Sequence, residues 1–79
     1  MRKFTTTRQV TGFVKKRLGG RKFHTEDDTP ASRVVRFDLD GQRYRFNASV
    51  ALLEKCVDGN LVIDSTCKEL LQKLEEVKK

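Results

Sequence analysis

The chain has 79 residues, of which 35% are charged and 37% hydrophobic, and its formal net charge is +6. Such a chain forms one small domain, spanning residues 1–79, with a modest hydrophobic core. No apolar run approaches the roughly 18 residues that a membrane span requires, and no segment resembles a signal peptide. We therefore expect a soluble, cytoplasmic protein without a membrane partner.

The positive charge is concentrated in the first third of the chain. Residues 1–24 hold eight Lys and Arg and no acidic residue, whereas residues 25–64 hold five basic and eight acidic residues. This asymmetry indicates nucleic acid or another polyanion as a partner, although a basic segment can also be a solvated end of the chain.

The first 24 residues are predicted to form a basic helix followed by a turn. Thr5, Thr6 and Thr7 offer an N-cap, and Gly19-Gly20 offers the left-handed conformation that ends helices. The helix runs to about Leu18, with an apolar arc of Val10, Phe13, Val14 and Leu18. The basic run KKRLGGRK lies at the helix C-terminus, so it compensates the helix dipole and is not a phosphate loop, but its cations can still contact phosphates.

Residues 25–32 are predicted to be an acidic loop, with the loss of periodicity beginning at Phe23. The segment contains the only proline of the chain and the cluster Glu26, Asp27 and Asp28. These acids and the nearby His24 lack the spacing of a calcium or magnesium site, so no metal or cofactor is expected.

Residues 33–47 are predicted to form an antiparallel β-hairpin. Asp40-Gly41 is the two-residue signal of a type I′ turn, because both central residues need a positive φ. Counting outward from the turn gives the register Leu39 opposite Gln42, Asp38 opposite Arg43, Phe37 opposite Tyr44, Arg36 opposite Arg45, and Val35 opposite Phe46. One face of the hairpin is therefore apolar and aromatic.

The other face of the hairpin carries arginine. It places Arg36 directly opposite Arg45, and like charges in that position destabilise a sheet. A negatively charged partner would relieve the repulsion, which makes this face a candidate binding surface.

Residues 48–79 are predicted to form two helices. The first covers roughly Ala48–Val57, with Asn47 or Ser49 as its cap and Asp58-Gly59-Asn60 at its end. The last helix begins with Thr66 and Glu69 at the spacing of a capping box. Between them, Leu61–Ile63 is either a third strand or a buried connector, since its periodicity fits both.

The two cysteines, Cys56 and Cys67, both fall on apolar faces of these predicted helices. Together with one histidine they are too few for a tetrahedral zinc site. We therefore expect two buried, reduced thiols.

These elements predict a small single-domain α+β fold in the order α-β-β-α-(β)-α. A hairpin, possibly with a third strand, would be packed on one face by helices, which leaves the arginine face uncovered.

The stretch RYRFNASVALLEKCVDGN, residues 43–60, resembles the hairpin, Asn-led helix and Asp-Gly turn of PqqD-like winged-helix domains, which bind leader peptides. The hairpin FDLDGQRYRF is similar to that of small phage tail-assembly proteins. These resemblances cover less than half of the chain, and they imply a protein-binding function.

We expect a non-enzymatic binding or regulatory protein without a small-molecule substrate, because the only histidine sits in the predicted acidic loop and both cysteines are expected to be buried. The first hypothesis is a polyanion-binding module whose partner is DNA or RNA. The alternative is an adaptor, inhibitor or phage assembly protein that binds an acidic protein surface or peptide. The candidate contact residues are Arg8, Lys15, Lys16, Arg21, Lys22, Arg36, Arg43 and Arg45.

Overall fold

The computed structural model describes residues 4–25 and 33–75, and it shows a small α+β domain with a five-stranded antiparallel sheet and two helices. The strands follow one another across the sheet in chain order, β1-β2-β3-β4-β5. The elements are α1 (Thr7–Leu18), β1 (Arg21–Thr25), β2 (Val34–Leu39), β3 (Gln42–Asn47), β4 (Leu52–Val57), β5 (Asn60–Val62) and α2 (Ser65–Glu75). The α+β class is confirmed, but the order is α-β-β-β-β-β-α.

The predicted N-terminal helix is confirmed as α1. Thr6 is its N-cap, and its hydroxyl accepts a hydrogen bond from the Gln9 backbone N–H at 3.3 Å. The Gln9 side-chain oxygen in turn accepts from the Thr6 N–H, which completes a capping box. At the other end Gly19 has φ +74°, the left-handed conformation expected of a helix-ending glycine.

The hairpin register is confirmed at every predicted pair. The two strands β2 and β3 align Val35 with Phe46 and Phe37 with Tyr44. Asp40 and Gly41 have φ values of +51° and +79°, as a type I′ turn requires. All four aligned side chains are buried, so the apolar face of the hairpin is the inner face of the sheet.

A strand, β1, replaces the turn and loop predicted to follow α1. Gly20 lies so close to β2 that a Cβ atom there would be 2.6 Å from Cδ2 of Phe37, so only glycine fits. Phe23 then stacks on Phe37. A bulge between Arg21 and His24 interrupts the pairing. Residues 26–32 of the predicted acidic loop lie outside the described residues, and Thr25 ends the strand.

The helix predicted over Ala48–Val57 is wrong. Residues 48–51 form a turn, in which the Asn47 side chain accepts a hydrogen bond from the Ser49 N–H at 3.0 Å instead of capping a helix. The chain then pairs with β3 as strand β4, with Leu53 aligned with Phe46. Pairing along the otherwise open edge of β3 outweighs the helix propensity of this segment.

The Asp58-Gly59 dipeptide is a second hairpin turn and not a helix end. Its φ values, +50° and +80°, match those of Asp40-Gly41. It connects β4 to β5, so a strand forms at the position where a third strand or a connector was predicted, although the strand ends at Val62.

The last helix is confirmed as α2, but a different residue caps it. The Asp64 carboxylate accepts a hydrogen bond from the Cys67 backbone N–H at 3.0 Å, and the Asp64 carbonyl accepts from Lys68. Asp64 therefore takes the capping role predicted for Thr66, because the helix begins two residues earlier than the capping-box spacing implied.

Both helices pack on the inner face of the sheet. The core combines buried residues of α1, the strands and α2: Val10, Phe13, Val14, Val35, Phe37, Tyr44, Phe46, Leu53, Cys67 and Leu74. The described elements leave the outer face, which carries the arginine residues of the hairpin, without a second layer. This matches the prediction that helices cover only one face of the sheet.

The cysteines differ in environment, contrary to the prediction that both lie on inward helical faces. Cys67 on α2 is buried and free, whereas Cys56 is partly exposed on β4 and aligned with Leu61 of β5. The two environments differ because Cys56 lies on a strand and not on the predicted helix, and a strand turns alternate residues to opposite faces.

The aromatic inner face should dominate stability. Phe37→Ala or Phe46→Ala removes a fully buried ring from the centre of a small core, so each should lower the free energy of unfolding by about 3 kcal/mol or more. Urea denaturation monitored by circular dichroism measures the loss. A decrease below about 1 kcal/mol in both variants would contradict this packing.

The two thiols should react at different rates in the folded protein. A maleimide reagent should label Cys56 first, while Cys67 should react only when the domain opens, because it is buried and burial raises the pKa of its thiol. Peptide mass spectrometry after timed labelling distinguishes the two sites. Equal rates in the native protein would contradict the assignment, and labelling in urea is the control for intrinsic reactivity.

Candidate polyanion-binding surfaces

The eight candidate basic residues lie on two sides of the domain. Arg8, Lys15 and Lys16 are exposed on the side of α1 opposite the buried Val10 and Val14, so they point away from the sheet. The strand residues among the eight, which are Arg21, Lys22, Arg36, Arg43 and Arg45, belong to the sheet. The two layers of the fold separate the two sets over most of the domain, and the sets approach each other only where α1 leads into β1.

The outer face of the sheet carries arginine residues that are tied to acids. Arg43 donates from Nε to Oδ1 of Asp38 at 2.9 Å, and Lys22 Nζ lies 3.9 Å from the other oxygen of that carboxylate. The hydrogen bond from Arg43 lowers the pKa of Asp38, and the same bond raises the pKa of Arg43. Two cations share one acid here, so this end of the face keeps a positive excess.

The predicted Arg36–Arg45 pair is present, but its charge is compensated within the sheet. Arg36 and Arg45 are aligned across the hairpin as expected. On the other side of Arg45, Glu54 of β4 is its neighbour, and Arg45 Nη1 donates to Glu54 Oε1 at 2.9 Å. Sequence reasoning missed this partner because Glu54 was placed on a helix. The Arg45 side chain is only 19% exposed and is held by this ion pair, so little of it is accessible to a partner.

One group of cations lies around the turn between α1 and β1. Lys15 and Lys16 are in the last turn of the helix, and Arg21 and Lys22 begin the edge strand. The buried Gly20 draws this connection tightly against Phe37, and the four exposed residues flank this single short turn along the chain. We call Lys15, Lys16, Arg21 and Lys22 the basic edge. Arg17 differs, because its guanidinium lies over the Phe13 ring, 5.6 Å from the ring centroid.

A second polar cluster joins Lys55 of β4 to Asp64, the N-cap of α2. The Lys55 ammonium contacts the Asp64 carboxylate, which also accepts the α2 cap hydrogen bond from Cys67. These contacts, led by the hydrogen bond from Lys55, lower the pKa of Asp64 from 3.8 to about 2. Because both Asp64 oxygens are committed to a helix cap and an ion pair, the cluster is structural.

Residues 4–25 and 33–75 show neither a metal-binding cluster nor a membrane-spanning helix. No three His, Cys, Asp or Glu side chains of this part of the chain are grouped in a way that could hold a metal ion. Neither of the two helices described here is long and apolar enough to span a membrane.

Because of the Asp64 contacts, the free energy of unfolding should decrease as the pH is lowered into the acidic range. The folded-state pKa lies below the ordinary value, so the stabilisation is fully present above about pH 4 and is lost as the pH falls towards 2. Asp64→Asn keeps a good helix cap but removes the charge, so it should flatten this decline. Urea denaturation at a series of pH values measures it. Asp58→Asn, which removes the same charge from a turn, is the control, and an Asp64→Asn curve parallel to wild type would contradict the assignment.

The resemblance to PqqD-like winged-helix domains is not supported, because the Asn-led helix on which it depended is a turn followed by β4. Comparison of the chain with family models, with curated proteins and with solved structures found no significant match. Only the geometry and charge of the chain's own residues therefore point to a function.

Proposed function

We propose that this protein is a non-enzymatic binding module whose basic edge holds a polyanion, and that its partner is the phosphate backbone of a nucleic acid. The observation that carries the proposal is the arrangement of Lys15, Lys16, Arg21 and Lys22 around one turn, all exposed to solvent. Several cations on one small surface bind a chain of phosphates better than any isolated charge, because each contact releases a counterion.

The electrostatic setting of the basic edge supports this choice. Residues 4–25 contain the basic residues Arg8, Lys15, Lys16, Arg17, Arg21 and Lys22 and no acid. The single described acid that reaches the basic edge is Asp38, which is 3.9 Å from Lys22 and is already bonded to Arg43. The Lys22 side chain remains 79% exposed, so it can reach a phosphate at little desolvation cost.

The outer face extends the contact area from the basic edge. Arg21 is aligned with Asp38 in the β1–β2 pairing, which brings it onto the same face as Arg43. The Arg43 Nε is held by Asp38, and a guanidinium has further N–H donors on its Nη atoms that suit a phosphate oxygen. Arg36 lies farther along this face, beside Arg45. Arg8, in the first turn of α1, is remote from the basic edge.

These contacts favour a partner recognised by its backbone. Lysine is a flexible point charge that positions a nucleic acid without reading its bases. The described outer face also exposes no aromatic ring on which a base could stack, because Phe23, Phe37 and Tyr44 lie on the inner face. We therefore infer low sequence specificity and strong salt dependence.

Fluorescence anisotropy with a labelled oligonucleotide tests the proposal. The affinity should fall linearly in log salt between about 50 and 200 mM, with a slope of about 0.9 for each duplex phosphate contacted. Lys15→Gln combined with Lys16→Gln should weaken binding and reduce that slope by up to about two units. Adding Arg21→Gln should weaken binding further.

The matched control is Lys68→Gln combined with Lys73→Gln. It removes two exposed lysines from α2, where Glu69 and Glu75 balance the charge, and it should leave the slope nearly unchanged. Equal losses in the two double variants would contradict the basic edge as the contact site. An acidic polypeptide bound more tightly than any oligonucleotide, with little salt dependence, would instead favour the acidic-protein alternative.

A further inference from the structure

The two edges of the sheet are built differently. At the β1 edge, a bulge breaks the ladder, Lys22 has a φ of +54°, and Arg21 and Lys22 are exposed cations. Bulges and charges of this kind prevent a sheet edge from pairing with another chain. The basic edge therefore also protects this side of the sheet against added strands.

The β5 edge has none of these protections. Asn60–Val62 and the following Ile63 carry no charge, and the described ladder between β4 and β5 has no bulge. Leu61, Val62 and Ile63 are 38%, 39% and 49% exposed, which is unusual for large aliphatic residues in a domain with a small core. An apolar, regular, uncharged edge is the kind that accepts another strand.

The turn before β5 determines which backbone groups face outward. In a two-residue hairpin the residues that flank the turn form the hydrogen-bonded pair, and these are Val57 and Asn60. The amide groups of Asn60 and Val62 therefore point towards β4. By the alternation of an antiparallel ladder, that of Leu61 points away from the sheet, and extending the same alternation one residue beyond β5 gives Ile63 an outward amide as well.

We propose that β5 pairs antiparallel with β5 of a second copy of this chain, with Val62 opposite Val62 across a two-fold axis. This register sets Leu61 opposite Ile63 of the second copy, and both residues have outward amide groups. Two such pairs, one on each side of the axis, form four backbone hydrogen bonds. A register centred on Leu61 would form only two, because Asn60 and Val62 already bond to β4.

Charge repulsion does not oppose a second copy at this edge, and it is smallest in this register. A chain with a net charge of +6 repels its own copy in general, but the cations lie mainly at the opposite edge of the sheet. In the register centred on Val62, Asn60 meets Asp64, whose charge Lys55 already balances. The register centred on Leu61 would place Asp58 opposite Asp64, a like-charge pair that costs stability.

The pairing has a geometric consequence for the whole domain. The two-fold axis of an antiparallel strand pair is perpendicular to the sheet, so the outer faces of both copies lie on the same side of one ten-stranded sheet. The two basic edges then lie at its far ends. The contact is short, which makes the dimer weak and concentration-dependent. It stands on the β5 edge alone and is independent of polyanion binding.

Sedimentation equilibrium without nucleic acid, from about 10 μM to about 1 mM chain, should show a reversible monomer–dimer equilibrium. Leu61→Lys combined with Ile63→Lys places ammonium groups opposite each other twice, so it should raise the dimer dissociation constant about tenfold or more. Leu61→Lys combined with Ile63→Glu instead places an ammonium opposite a carboxylate and should restore the wild-type constant to within a few fold.

Val50→Lys is the matched control, since Val50 is exposed in the turn before β4 and should leave the dimer constant unchanged. Thermal unfolding of each variant establishes that the monomer is folded. A wild-type protein that stays monomeric over the whole range overturns the proposal. So does a Lys/Lys variant that dimerises like wild type, or a folded Lys/Glu variant as monomeric as the Lys/Lys variant.

Discussion

The stacking of Phe37 between Phe23 and Tyr44 is the contact on which the sheet depends. The ring centroids are 5.5 and 5.7 Å apart, and the three rings come from three consecutive strands. Gly20 brings the chain close enough to Phe37 for β1 to form beside β2. The same ring therefore stacks within the hairpin, contacts the edge strand β1 and belongs to the strand on which α1 packs.

With the aromatic residues on the inner face, the charged residues of the same strands lie on the outer face. Alternation along each strand sends Asp38, Arg43 and Arg45 to the side opposite the aromatic rings. There Arg43 pairs with Asp38, and Arg45 pairs with Glu54, across neighbouring strands. Glu54 is the neighbour that makes Arg45 tolerable beside Arg36. The arginine residues are thus partly structural, and for this reason we propose the cations around the α1–β1 turn as the main binding residues.

The same edge of the sheet serves two physical purposes. The bulge and the cations of β1 prevent strand addition, and those cations are also the exposed positive charges that suit a phosphate chain. At the other edge, Leu61 and Ile63 present apolar side chains and outward amides. The asymmetry of the two edges follows from how the chain enters and leaves the sheet, with Gly19-Gly20 before β1 and Asp58-Gly59 before β5.

The sequence by itself determined the elements whose signals are local. Threonine caps and the glycine pair defined α1, and Asp40-Gly41 defined the register of the hairpin, because turn chemistry acts over only a few residues. The conformation of the second half of the chain and the placement of the cations depended on tertiary contacts. The segment from Leu52 to Val57 fits both a helical and a strand period, and the open edge of β3 selected the strand. That choice moved Cys56 to the surface and supplied Glu54 to Arg45. Likewise, the division of the cations between two sides of the domain depends on where α1 packs, which no single stretch of sequence contains.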